Sequence, residues 1–235
     1  MFEAKKTNRI RGAEFSARFM SGTVLDIGCG PDCVVPHAQP FDVRHGDANH
    51  IASYLPAESF DCVHSSHCLE HMYNVREALA EWWSLLKPGG HMVFVVPEEN
   101  LYEQGRWPPI FNSDHKWTFR KGGAASWSPV SLDVIELVEK LPNCDVIEIT
   151  VQDHGYVHSL RDEVRPVSPL ARLISDQRKR VTGKLLEKGV PGTLILERLF
   201  GHIERQFGVP IDQTRLGAVA QIQVVLRKRQ RGCWS

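Results

Sequence analysis

Three short segments carry residue types that can do chemistry. The first is Asp26-Ile27-Gly28-Cys29-Gly30, an acid and two glycines behind an apolar run. Glycine lets the backbone pass close to a ligand because no Cβ intervenes. A strand ending in such a turn suits a nucleotide-like molecule across the sheet's edge, although the same spacing also serves a plain strand-to-helix turn. The second segment is Ser66-His67-Cys68-Leu69-Glu70-His71, with two imidazoles and a carboxylate. The third is Asn112-Ser113-Asp114-His115-Lys116-Trp117, which packs an acid, an imidazole, a cation and an aromatic ring together. A histidine or carboxylate with a pKa near the working pH can take a proton from an oxygen or nitrogen acceptor. Such density suits a sugar or another polar metabolite, with rings stacking on it and polar groups bonding its hydroxyls. Tyr102 and Trp107 add to that wall, and Glu98 and Glu99 add carboxylates.

These segments need a scaffold, and the hydrophobic pattern supplies one. Thr23 to Ile27, Ser59 to Ser66, His91 to Val96, Asp145 to Val151 and Ala218 to Leu226 read as strands, with Phe41-Asp42-Val43 as a short one. Asn74 to Leu86 predicts a helix capped by Asn74 with Glu77 three residues on, and Val75, Ala78, Leu79, Trp82 and Leu86 form its apolar face. Arg9 to Met20, Ser128 to Leu141, Leu170 to Lys188 and Thr193 to Phe207 are further expected helices. Alternating strands and helices imply a mainly parallel sheet covered on both faces. The last two strands can pair antiparallel, with 161–215 inserted between them. Glu98 to Gly123 is a long aromatic loop, and loops of that length in compact domains are usually functional.

Composition narrows the classes. The 235 residues suffice for one elaborated α/β domain or two small ones. Formal net charge is zero, so no global field draws nucleic acid or an anionic membrane. No apolar run approaches the roughly 18 residues of a membrane span. The six cysteines form no CxxC pair, which fits reduced thiols in a cytoplasmic protein.

Taken in order, the motifs resemble those of the class I S-adenosylmethionine-dependent methyltransferases. Val24-Leu25-Asp26-Ile27-Gly28-Cys29-Gly30 is similar to their first motif. Ser59-Phe60-Asp61-Cys62-Val63 followed by Leu69-Glu70-His71 is similar to their fourth-strand motif. Leu86-Lys87-Pro88-Gly89-Gly90 looks like the turn before their fifth strand. The resemblance spans about Thr23 to Val96, and Ala218 to Leu226 suits the family's final strand. It implies a Rossmann-like, seven-stranded, mainly parallel sheet with helices on both faces. The chain would be a single domain over 1–235, with 161–215 a helical insertion serving as lid or oligomerisation element.

The resemblance also implies S-adenosylmethionine as cofactor. Asp26 and Gly28 should lie beside its methionine part, with Gly30 giving close backbone approach and Cys29 between them also in the cofactor-binding set. Asp42 should take the ribose hydroxyls, because a carboxylate accepts two hydrogen bonds from a vicinal diol. Asp47 with Ala48 should meet the adenine, and Ser66 and His67 should line the cofactor's edge toward the acceptor. The stretch between Gly30 and Asp47 is shorter than the family usually has. That bears most on Asp42, whose other reading is a turn carboxylate bonding its own backbone.

The expected reaction is O-methylation of a sugar, a nucleotide-linked sugar or a similar polar metabolite, in the cytoplasm. His115 is the expected general base, oriented by Asp114 or Glu98, and Glu98 and His71 are further catalytic candidates. Tyr102, Trp107, Asp114 and Trp117 are expected to hold the acceptor. The run from Glu98 to Phe119 is similar to bacterial methyltransferases of surface-polysaccharide modification, an analogy weaker than the family motifs. Methylation of RNA or protein is the alternative, using basic clusters such as Arg178-Lys179-Arg180. A catalytically silent cofactor-binding scaffold is another. A homodimer through the insertion would cover its apolar residues. His67 to His71 also fits the H-x-x-E-H pattern of some zinc peptidases. That reading needs two histidines on one helical face and a third ligand elsewhere, and here a strand precedes the segment. Glu98, Asp114 and His115 are a second set that could hold a divalent metal, but a metal-free site is expected.

Overall fold

The computed structural model describes residues 3–123, 125–161 and 167–230. Cys233, the end of the basic tail at Arg231, and Pro166 in the insertion lie outside them. The sheet is built on β1 (Val24–Ile27), buried at every position. β2 (Gln39–Phe41) and β3 (Phe60–Ser66) flank it in parallel. β4 (Leu86–Pro97) continues the parallel order beside β3. β8 (Gln221–Lys228) then runs antiparallel between β4 and the edge strand β7 (Cys144–Gln152). The order is β2-β1-β3-β4-β8-β7. The last two strands pair antiparallel, as their sequence allows.

The main sheet has six strands among the described residues, where seven were expected. The reason lies in the compressed stretch after Gly30. Between β2 and β3 the chain has room only for a turn and a 3-10 helix over Ala48–Ser53, capped by Asp47. A separate two-stranded ribbon pairs β5 (Thr118–Arg120) with β6 (Ser131–Asp133). The expected helix over Ser128 to Leu141 therefore shortens to α3 (Val134–Val138), capped by Asp133.

Side-chain alternation along the strands divides the core in two. On one face Leu25, Ile27, Val63, Met92, Phe94, Val224 and Leu226 pack against α2 (Val75–Ser84) and α3. α2 contributes Val75, Ala78, Leu79, Trp82 and Trp83, so both tryptophans are core residues. Their indole N–H groups donate to the carbonyls of Ala48 and Pro142, which satisfies the one polar atom each ring brings inside. On the other face Val24, Cys62, Val93 and Val225 meet Phe19, Met20, Val34 and Val35. Phe19 closes α1 (Glu3–Phe19), which bends at Gly12, a residue in the left-handed region at φ 70°.

The insertion folds as α4 (Pro169–Glu187) and α5 (Thr193–Gln206). Ser168 caps α4 through the Ala171 N–H, and Pro169 occupies its first turn. Arg178 ties the pair together through Glu197 and Glu204. No described helix is long and apolar enough to cross a membrane.

Candidate active site

The glycine turn leaves β1 at the carboxyl edge of the sheet. Gly28 N donates to Phe41 O at 2.7 Å, which fixes the turn against β2. A Cβ on Gly28 would lie 2.7 Å from both Cβ and Sγ of Cys68, and its φ is +74°. Gly30, at φ +60°, faces open space, with no atom within 4 Å of an added Cβ. So Gly28 is glycine for packing and conformation, while Gly30 leaves room beside the turn.

Asp26 is buried beneath this turn, and both its oxygens are used. Oδ2 accepts from Val34 N at 2.6 Å, pulling the far end of the loop back onto β1. Oδ1 lies 2.6 Å from His64 Nδ1. On the ring's other side Arg11 Nη1 stands 3.2 Å from His64 Nε2. A guanidinium only donates, so Nε2 accepts and Nδ1 carries the proton toward Asp26. Burial pushes the His64 imidazole below its ordinary value, outweighing the pull of Asp26, which suits a neutral ring between cation and anion. Arg11 Nε also donates to Gln223 Oε1 at 2.6 Å, so α1 is latched onto β8 and β3 through Gln223 and His64.

Around the turn sit the other expected cofactor residues. Asp42 follows β2, half-buried, and its Oδ1 accepts from Val43 N at 2.6 Å. Asp47 is exposed; the Asn49 side chain and backbone N–H both donate to its Oδ1, and these bonds hold its carboxyl below the usual range. Ala48 follows as the first residue of the 3-10 helix. Ser66 ends β3 with its hydroxyl buried and without a hydrogen-bond partner. His67 sits in the left-handed region at φ 53°, its Nε2 3.0 Å from Gln221 Oε1. Left-handed backbone at a non-glycine residue is uncommon and concentrates at functional sites. Burial pushes the Cys29 and Cys68 thiols up to about 12, so neither is a thiolate nucleophile at neutral pH.

The long loop folds back over the end of β3. Lys116 N donates to Glu70 O at 2.9 Å, and Trp117 Nε1 donates to Met72 O at 2.8 Å. These two bonds seat His115 beside the short helical turn Leu69–His71. His115 Nδ1 is 2.8 Å from Glu103 Oε1 and its Nε2 is 3.8 Å from Glu70 Oε1. Tyr102 stacks on the ring at 5.1 Å between centroids, and His71 meets its edge at the same distance. His71 Nδ1 lies 3.0 Å from Asp114 Oδ2. The His115 side chain is 3% exposed and that of His71 24%, so His71 is the imidazole that solvent reaches.

The contact that orients His115 thus comes from Glu103, while Asp114 orients His71. Glu98 is engaged elsewhere: its carboxylate accepts from Leu101 N and Asn100 Nδ2 at the start of a π-helical turn over Glu99–Glu103. Such turns are frequent at functional sites, and this one aims Glu103 at His115. Trp117 packs on the main core, and Trp107 is half-buried. Glu103 is the site carboxylate that the sequence reading missed, and Glu70, read there only within its motifs, is a second. Burial pushes the Glu103 carboxyl up, against the pull of His115. Burial also pushes on Glu70, but His67, His115 and His71 together hold it below its ordinary value.

A mainly parallel sheet whose first strand ends in a glycine turn, with acids after β2 and before the 3-10 helix, is the frame of a nucleotide-cofactor-binding α/β protein. The sequence pattern of one family, described as a methyltransferase domain, matches residues 4–132. The chain belongs to that family, the S-adenosylmethionine-dependent methyltransferases, and its cofactor is S-adenosylmethionine. Among curated proteins none matches in sequence. A solved methyltransferase from Archaeoglobus fulgidus shares the fold, with a TM-score of 0.50 at 16% identity over 97% of this chain and 95% of that one. The [4+2]-cyclase SpnF aligns with a TM-score of 0.44 at 14% identity, over 92% of this chain and 78% of that one. A Haemonchus contortus phosphoethanolamine N-methyltransferase, solved with phosphomonomethylethanolamine and S-adenosylhomocysteine, gives 0.47 at 14% identity over 97% of this chain. The chain spans 52% of that enzyme's length.

The residues present fit the cofactor. The turn has open space at Gly30, Ser66 offers a buried hydroxyl with unmet bonding, and Asp42 Oδ2 has no partner among the described residues. Asp26, with both oxygens bonded inside the protein, holds the turn in shape.

Proposed function

We propose that this methyltransferase acts on a hydroxyl of a sugar, a nucleotide-linked sugar or a similar polar metabolite. The reading rests on one observation: two imidazoles, each held by a carboxylate, gather at the helical turn that follows Cys68, the residue packed against Gly28. S-adenosylmethionine, when bound, supplies an electrophilic methyl group on a sulfonium. The chain's own task is to hold an acceptor oxygen in line with that methyl and to remove its proton. Asp42 and Asp47 with Ala48 are assigned to the ribose and adenine, and Ser66 and His67 to the edge facing the acceptor. His71 and His115 form the proton-accepting side, with Asp114 and Glu103 fixing their rings. Tyr102 lines the acceptor's approach.

Two cations of the Arg178-Lys179-Arg180 cluster are engaged within the chain, which supports the small-molecule reading over RNA. Arg178 is held by Glu197 and Glu204, and Lys179 donates to Ile110 O and lies over the Phe111 ring. The described cysteines are free thiols, in keeping with a cytoplasmic setting. Leu170, Leu173, Leu199, Phe200, Ile203 and Phe207 stand exposed on the insertion and suit a homodimer contact.

The test is S-adenosylhomocysteine release against a panel of sugars, nucleotide sugars and small hydroxylated metabolites. His115→Ala is expected to lower turnover at least 100-fold with the best acceptor while cofactor affinity by calorimetry stays within twofold. Unchanged turnover would remove His115 from the reaction. Tight cofactor binding without turnover on any acceptor would favour a scaffold.

A further inference from the structure

We propose that Glu70, His71 and His115 form a binding site for one divalent transition-metal cation of the zinc type. The proposal rests on the reading that this cluster is the acceptor side. It departs from the metal-free expectation because the fold supplies the third ligand that the H-x-x-E-H segment lacks by itself.

One ligand atom from each of the three residues lies within 4.8 Å of the other two. Zinc binds nitrogen and oxygen at about 2.0–2.2 Å, which holds donors roughly 3.4 Å apart in a tetrahedron. His115 Nε2 and Glu70 Oε1 stand 3.8 Å apart, so a few tenths of an ångström closes that edge. The second observation is independent of spacing. Glu70 is fully buried, and neither carboxylate oxygen accepts a hydrogen bond of normal geometry. A buried carboxylate left so is costly, and a cation at this point satisfies it.

The surroundings complete the argument. Metal-bound histidines characteristically give their other ring nitrogen to a carboxylate, which sets the tautomer. His115 Nδ1 meets Glu103 at 2.8 Å, and His71 Nδ1 meets Asp114 at 3.0 Å. That leaves Nε2 of each ring as the ligand atom. His67 Nδ1, 3.4 Å from Glu70 Oε1, steadies the third ligand. Two imidazoles and one carboxylate leave a fourth position open, as catalytic zinc sites do. The half-exposed His71 gives access to it. A hydroxyl entering that position would become more acidic and would release its proton to the solvent that reaches the site past His71, with the imidazoles acting as ligands in place of proton acceptors. Asp26, Cys29 and Cys33 also lie close together, but both Asp26 oxygens are committed to Val34 and His64.

The experiment titrates zinc chloride into chelator-stripped full chain by calorimetry and reads bound metal by elemental analysis. The expected result is one zinc per chain, with affinity lowered at least 100-fold in His71→Ala and in His115→Ala, and 10- to 100-fold in Glu103→Gln. His71 is partly exposed, so its variant tests the site even where a buried substitution unfolds the protein. Cys29→Ser should leave stoichiometry and affinity unchanged. No zinc uptake by the wild-type chain at micromolar concentrations overturns the proposal. So does equal uptake by His71→Ala, or loss of uptake in Cys29→Ser. Cofactor affinity is measured on the same samples. Zinc binding without S-adenosylmethionine binding would sink the functional reading and leave the metal site standing; the reverse would sink the site alone.

Discussion

Asp26→Asn is the most informative single change, because it removes a charge while keeping the side chain's size. In the wild-type chain Arg11, neutral His64 and Asp26 form a row of donor-to-acceptor contacts that ends with Val34 N–H. An amide cannot complete that row. If its oxygen accepts from Val34, its NH2 faces His64 Nδ1, which must then accept; the ring proton moves to Nε2 and meets the Arg11 donor. If its oxygen faces His64, its NH2 meets the Val34 N–H. Either way one buried donor is left unmet, at about 1–3 kcal/mol. Removing the Asp26 charge also leaves Arg11, which feels it across the neutral His64 ring, less compensated; Arg11 keeps some solvent, so the total expected is about 3 kcal/mol. For a chain of this size that is a fall of about 6–12 °C in Tm. Urea denaturation and calorimetry with S-adenosylmethionine read both consequences, since the Val34 bond also shapes the glycine turn. Adding Arg11→Met should recover at least 1 kcal/mol by removing the uncompensated cation. A single variant within 0.5 kcal/mol of wild type with unchanged cofactor affinity, or strictly additive losses in the double, would refute the reasoning.

Other outcomes follow from single contacts. Gly28→Ala puts a methyl 2.7 Å from the Cys68 side chain at positive φ, so about 2–4 kcal/mol of stability and most cofactor affinity should go; a melt and calorimetry check it. Burial holds the His64 pKa down, so the unfolded chain takes up that proton first. Stability is then full above the unfolded value near 6.5 and declines as pH falls below it, by up to about 1.4 kcal/mol per pH unit; a flat urea midpoint from pH 7.5 to 5 would count against it. His91, shifted the same way by burial and nearby arginines, steepens that limb. Asn74→Ala removes a long cap bond of 3.4 Å to Glu77 N and should cost about 0.5–1 kcal/mol by urea denaturation.

How far the sequence could be read depended on the range of the forces involved. Strands such as Val24 to Ile27 and the Asn74-capped helix were legible because apolar alternation and capping act within a few residues. The short stretch after Gly30 was read as bearing on Asp42 and not on the strand count, so the six-stranded sheet of the described residues was not foreseen; Asp47, which caps the 3-10 helix there, was read as a cofactor acid. Ser128 to Leu141 misled because Thr118–Arg120 offered Ser131–Asp133 a strand partner, and pairing across the chain overrode helical periodicity.

The site divides along the same line. Asp26 to Gly30 was readable as a turn beside a ligand. Its acid's commitment to Val34 and His64 was not, because His64 arrives from another strand and Arg11 from the first helix. His115 stood out by residue type, and the nearest acids in sequence, Asp114 and Glu98, looked like its partners. Position along the chain was the wrong measure there. The π-helical turn after Glu98 shifts Glu103 into contact with His115, twelve residues away, while Asp114 points outward to His71. Glu70 looked like part of a strand-end motif until the loop closed over it. Its burial beside three imidazoles follows from the Lys116 and Trp117 backbone anchors, which no local pattern encodes. A carboxylate buried this way needs a compensating positive charge. Protonated imidazole or a bound cation can each provide it, and those two answers predict opposite responses to a chelator.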